Sequence, residues 1–160
     1  MFARLWLAVH ILSFTACVTS VEPHEPCGDV ADVPSGELKA WLDAGCFDGW
    51  EAESGVLQAT MSDGHAQVFI NPVLAQSLVD GNALHPVGSA AVRVMYLPDL
   101  ETVWGYALAV KSSHAGPDGW FWFEHFEHHE EPTVSSRDAI GCQGCHASGA
   151  DFIQSHWPLR

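Results

Sequence analysis

The sequence predicts an α+β domain, an antiparallel β-sheet with flanking short helices, closed by a cysteine-bearing C-terminal segment. Three observations point there. Val- and aromatic-rich runs at 90–97, 102–112 and 119–126 are separated by turn residues too short for parallel crossovers. Capped amphipathic stretches precede them. The chain has 160 residues, of which 48% are apolar, so one domain with a packed core is expected.

Residues 1–16 read as a signal peptide: Arg4 supplies the early positive charge, and Leu5 to Phe14 form an apolar run too short for a ~20-residue membrane span. Phe14-Thr15-Ala16-Cys17 resembles a bacterial lipobox, which makes Cys17 a lipidation candidate and predicts an exported protein held at a membrane by a lipid anchor in the bacterial periplasm. Residues 17–34, rich in Pro and acidic side chains, read as a tether. The domain proper is expected over 35–160.

Export permits disulfides. Setting Cys17 aside leaves four cysteines, and because Cys142 and Cys145 share a motif, Cys27 and Cys46 are expected to pair with each other. Ser35 caps a helix carrying Leu38, Trp41 and Leu42 on one face and ending at Gly45. His65 to Ile70 alternates as a strand. Asn71 as cap, Pro72 in the first turn and Gly81 past the end then frame a second helix. After the three sheet runs, His128 to Ile140 reads as polar loop, and the chain closes in a turn through Phe152 and Ile153.

Charge narrows the partners. Six Lys plus Arg against twenty Asp plus Glu give a net charge of −14. No basic cluster offsets the repulsion of a phosphate backbone, which acts over a Debye length of about 8 Å, so nucleic acid is disfavoured.

Chemistry concentrates in Gly141-Cys142-Gln143-Gly144-Cys145-His146, which contains C-x-x-C-H, the attachment signature of a c-type haem. Two thiols at this spacing can each add to a vinyl group while the adjacent imidazole reaches the iron. The competing readings are a structural zinc site recruiting His125, His128 or His129, a thioredoxin-like dithiol, and an ordinary Cys142–Cys145 disulfide.

The run from Gly81 to Arg93, then Val103-Trp104-Gly105-Tyr106, Gly119-Trp120-Phe121-Trp122-Phe123-Glu124, the C-x-x-C-H motif and Gly149-Ala150-Asp151-Phe152-Ile153 with Trp157-Pro158 resemble, in order and spacing, the cytochrome P-460 family. The resemblance spans roughly Ser35 to Leu159. It implies a sheet-dominated fold related to the β-type cytochromes c′, with one covalent haem c bound by Cys142 and Cys145 and His146 as proximal ligand. It also implies hydroxylamine oxidation or nitric oxide binding as activities, a periplasmic redox partner, and a homodimer, since family members are often dimers.

The family's cross-linking lysine corresponds in position to Arg93, whose guanidinium is too weak a nucleophile to serve readily. Arg93 is instead a candidate partner for a haem propionate, or else a charge on an open sheet face. Lys111, the lysine of the sheet region, reads as a solvated strand terminus. Glu124 is the candidate distal proton acceptor, its bland alternative being an exposed strand-end acid. Alternation puts either Trp120 and Trp122 or Phe121 and Phe123 against the core. His85, Met95 and His114 are conceivable sixth ligands, although an open distal site is expected. The run Glu124 to Glu131 could capture a transition metal but reads as a solvated acidic loop.

The leading expectation is an exported mono-haem cytochrome that binds or transforms a small nitrogen ligand at an open iron. The alternatives are a six-coordinate electron-transfer cytochrome and a non-haem lipoprotein with zinc or a disulfide at the motif.

Overall fold

The computed structural model describes residues 27–58, 64–114 and 116–160. The segment expected to be a signal peptide, the lipidation candidate Cys17 and most of the expected tether lie outside these residues. The described chain forms one antiparallel sheet of seven strands: β1 (Glu51–Ala52), β2 (Leu57–Gln58), β3 (His65–Ile70), β4 (Ala90–Tyr96), β5 (Val103–Lys111), β6 (Trp120–Phe126) and β7 (Val134–Ser136). The order is β1-β3-β4-β5-β6-β7, with β2 also paired to β3. Three short α-helices accompany it: α1 (Leu38–Asp43), α2 (Pro72–Val79) and α3 (Ile140–His146). No described helix is long and apolar enough to cross a membrane.

Local chemistry accounts for the element boundaries. Asn71 Oδ1 accepts from the Leu74 N–H at 3.0 Å, capping α2. The same oxygen accepts from Ala90 N–H at 3.0 Å, and Asn71 Nδ2 donates to the Gly88 carbonyl at 2.7 Å. One cap therefore fixes both the start of α2 and the approach to β4. Past the end of α2, Gly81 takes φ +66°, a left-handed conformation that glycine adopts without a Cβ penalty.

Both faces of the central strands are covered. Val92 and Val94, Leu108 and Val110, and Phe123 pack against Leu38, Trp41 and Leu42 of α1 and against Phe47. On the other face Ile70, Ala109, Trp120 and Trp122 meet Leu74 and Ala75 of α2 and Ile153 of the C-terminal segment, with Cys142 packed against them. Strand periodicity thus assigns the two Trp to the motif side and the two Phe to the α1 side.

Four expectations are corrected. Ser35 does not cap α1: it opens a short 3-10 turn over Ser35–Glu37, and α1 begins at Leu38 with no side-chain cap hydrogen bond. The tether reading fails from Cys27 onward: Cys27 is disulfide-bonded to Cys46, Val30 is 3% exposed, and the Trp41 indole N–H donates to the Gly28 carbonyl at 3.0 Å. The polar loop after His128 contains β7, which pairs with β6 through Ser136, Ser135 and Val134. Lys111 is no solvated terminus. It is 1% exposed and its Nζ lies 2.6 Å from Asp151 Oδ2, whose side chain is equally buried.

Candidate functional site

The C-x-x-C-H motif occupies α3, so Cys142 and Cys145 stand three residues apart and His146 four beyond Cys142, all within reach of one helix face. Cys142 and His146 are half-buried and Cys145 is exposed. Both thiols are free. The His146 ring packs edge-on to Trp122, with ring centroids 4.8 Å apart.

The His146 tautomer follows from its partner. Nδ1 lies 2.8 Å from the Phe152 carbonyl, which can only accept, so Nδ1 carries the proton and Nε2 is left with a lone pair. This is the arrangement by which a backbone carbonyl orients a metal-binding imidazole. Phe152 is placed by a tight C-terminal turn: Ala150 bridges to Ile153, and Ile153 N–H donates to the Ala150 carbonyl at 2.9 Å. Gly149 is required there, because an added Cβ would run into the Ile153 carbonyl. Gln154 Nε2 ties the turn back to α3 by donating to the Cys145 carbonyl at 2.7 Å.

Sheet register brings the other predicted residues to the same side. Val68, Arg93, Ala107, Glu124 and Val134 form one cross-strand row over β3 to β7, next to the row Ile70, Ala91, Ala109, Trp122 and Ser136. Arg93 and Glu124 are therefore two strands apart on the motif face, with the small Ala107 between them. Both are half-buried. Burial lowers the Arg93 pKa, opposed by the nearby carboxylates of Glu124 and Glu53. Thr133 Oγ1 donates to Glu124 Oε1 at 2.9 Å. Burial also raises the Cys142 thiol pKa, with the Glu124 carboxylate adding to the shift. This direction is opposite to the depressed pKa that activates a nucleophilic thiol.

The polar run Glu124 to Glu131 begins within β6 and is divided by the strand. Glu124 faces the motif, His125 is buried on the opposite face opposite Tyr106, and His128 stacks on Trp104 at 6.1 Å. Among the described residues no three His, Cys, Asp or Glu side chains converge on a metal-sized position. Of the conceivable sixth ligands, His114 is exposed and Met95 is buried on the motif face, two residues beyond Arg93. His85 is 2% exposed and fully engaged: Nε2 donates to the Ala150 carbonyl at 3.1 Å, and Nδ1 accepts from Ser77 Oγ at 2.8 Å.

A network invisible in the sequence surrounds His85. Its backbone N–H donates to Asp151 Oδ2 at 2.9 Å, the same oxygen that holds Lys111. Lys111 Nζ also lies 5.2 Å from the Trp120 ring centroid, a cation–π contact. Burial lowers the His85 pKa, with Lys111 adding slightly and Asp151 and the Ala150 carbonyl opposing. The folded chain keeps His85 neutral while the unfolded chain takes up a proton near pH 6.5, so this residue's contribution is present above that pH and lost as pH falls. Urea melts at pH 7.5 and 5.5 are expected to show a larger acid destabilisation for the wild type than for His85→Gln; equal losses would contradict this.

The residues present fit a covalently held haem on three counts: thiol spacing, an imidazole with its Nε2 lone pair available, and an alanine-floored sheet face flanked by Arg93 and Glu124. A scan against protein-family models finds no match to this chain, and a search of curated proteins finds none that matches either.

Proposed function

We propose that the protein is an exported c-type mono-haem cytochrome, similar to the cytochrome P-460 family, that binds or transforms a small nitrogen ligand such as nitric oxide or hydroxylamine. The observation that carries this reading is the His146 tautomer: within C-x-x-C-H, Nδ1–H is committed to the Phe152 carbonyl and Nε2 is free to bind a metal. Cys142 and Cys145 form the two thioethers. Arg93 pairs with a propionate, a role suited to a bidentate guanidinium on a half-buried face. Glu124 would accept a proton from hydroxylamine, the only one of the two ligands that carries one, with Thr133 holding one carboxylate oxygen in place. When bound, the haem supplies the iron that takes the nitrogen ligand and exchanges electrons with a periplasmic redox partner.

Export is supported by the Cys27–Cys46 disulfide, which belongs to an oxidising compartment, and Cys17 is the proposed lipid attachment point. Hydroxylamine turnover is expected to be weak or absent. Arg93 stands where the family's cross-linking lysine would be, and the Lys111 ammonium is held by Asp151.

The test is an optical spectrum of protein matured with haem-attachment machinery, with and without nitric oxide. A five-coordinate spectrum that changes on nitric oxide addition is expected, and His146→Ala is expected to keep covalent haem while losing the proximal-ligand signature. A six-coordinate low-spin spectrum indifferent to nitric oxide would replace this reading with electron transfer. An unaltered proximal signature in His146→Ala would overturn the ligand assignment.

A further inference from the structure

Asp151 and Phe152 are consecutive non-glycine residues with left-handed backbones, φ +45° and +69°. Such conformations are costly for L-residues other than Asn, Asp and Gly, and Phe152 gains nothing locally from its own. Something must hold them, and the structure identifies what does. The Asp151 carboxylate is buried and receives the Lys111 ammonium at 2.6 Å and the His85 N–H at 2.9 Å on one oxygen. The preceding carbonyl, of Ala150, receives His85 Nε2–H. His85 is itself fixed from behind by Ser77, which also accepts from Asn82 Nδ2 at 3.2 Å. The Asp151 side chain and the peptide carbonyl before it are thus tied to β5 through Lys111 and, through His85 and Ser77, to α2. Two carbonyls further along, that of Phe152 is the one that holds His146. Although Ser77 and His85 form a hydrogen-bonded serine–histidine pair, they are 1% and 2% exposed, which leaves no access for a substrate.

We infer that Lys111, Asp151 and His85 form a buried clamp whose function is to aim the Phe152 carbonyl at His146 Nδ1, which makes all three positioning residues for the axial imidazole. The clamp sets the tautomer of His146 in the haem-free chain. In the haem-bound protein it sets imidazole basicity, because a firm Nδ1–H···O=C bond gives the ring more imidazolate character. That second consequence rests on the haem reading above; the first does not.

The experiment has a haem-free and a haem-bound arm, each with wild type, the double variant Lys111→Met/Asp151→Asn, and Leu42→Ala. The double variant removes both charges while keeping a side chain that tolerates a left-handed backbone and can accept from His85 N–H. Leu42→Ala is destabilised from the opposite sheet face and controls for loss of stability alone. In the haem-free arm, nitrogen NMR of the His146 ring is expected to show the Nδ1–H tautomer in wild type and Leu42→Ala, and a shift to mainly Nε2–H in the double variant. Asp151→Asn alone, with the same expected shift, serves if the double variant does not fold. Retention of Nδ1–H in the clamp variants overturns the inference. In the haem-bound arm, the iron–imidazole stretching band should move to lower frequency and the midpoint potential should rise in the double variant only; no shift, or an equal shift in Leu42→Ala, counts against the clamp. Wild type without haem defeats the functional reading and leaves the tautomer to decide the clamp.

Discussion

Replacing Lys111 by methionine is expected to lower folding stability by about 3–5 kcal/mol, because it strands the Asp151 carboxylate in a site from which water is excluded. The pair is 1% exposed on both sides, so solvent screening does not soften the loss. Removing both charges is a different experiment. In Lys111→Met/Asp151→Asn no buried charge is left unpaired, and the loss is expected to fall well short of the sum of the two single substitutions. Denaturant melts of the four proteins measure this coupling. A Lys111→Met protein within about 1 kcal/mol of wild type would return Lys111 to the status of a surface residue.

The second large effect is expected at the Cys27–Cys46 disulfide. The bond spans 19 positions, and on the chain-entropy model its removal by paired serine substitutions costs about 3 kcal/mol. The native contacts that depend on it add to the loss: Val30 sits in the α1 core, and Gly28 accepts the Trp41 indole N–H. Urea melts of wild type and of Cys27→Ser/Cys46→Ser measure the difference. Coincident melts would show that packing alone holds residues 27–33 to the domain.

Those residues also show how far the sequence could be read. β3 to β6 and the first two helices are legible because each carries its own signal: alternation in His65–Ile70, the apolar face of Leu38, Trp41 and Leu42, the Asn71-Pro72 start, the glycine after α2; Ser35 misleads, since α1 starts at Leu38 without a side-chain cap. β1, β2 and β7 carry none. They are two or three residues long and become strands only by pairing with β3 or β6. The tether reading misleads from Cys27 on because acidic and proline-rich composition dominates a stretch whose described residues anchor Val30 in the core and pack Val33 against it.

The site divides in the same way. C-x-x-C-H is local and was visible at once. That Arg93 and Glu124 share a face with it depends on the register of three strands, which sequence spacing alone does not supply. Lys111 looked like a solvated strand end because its counter-ion lies 40 residues away. The Phe152 carbonyl could not have been nominated from side-chain chemistry, since any residue carries one.

The measurement that bears most directly on the central claim is the intact mass of the full chain after export and maturation with haem-attachment machinery. The account predicts the polypeptide plus the mass of one haem, resistant to denaturation and abolished in Cys142→Ser/Cys145→Ser. A mass explained by amino acids alone, or by amino acids and a lipid at Cys17, would contradict it.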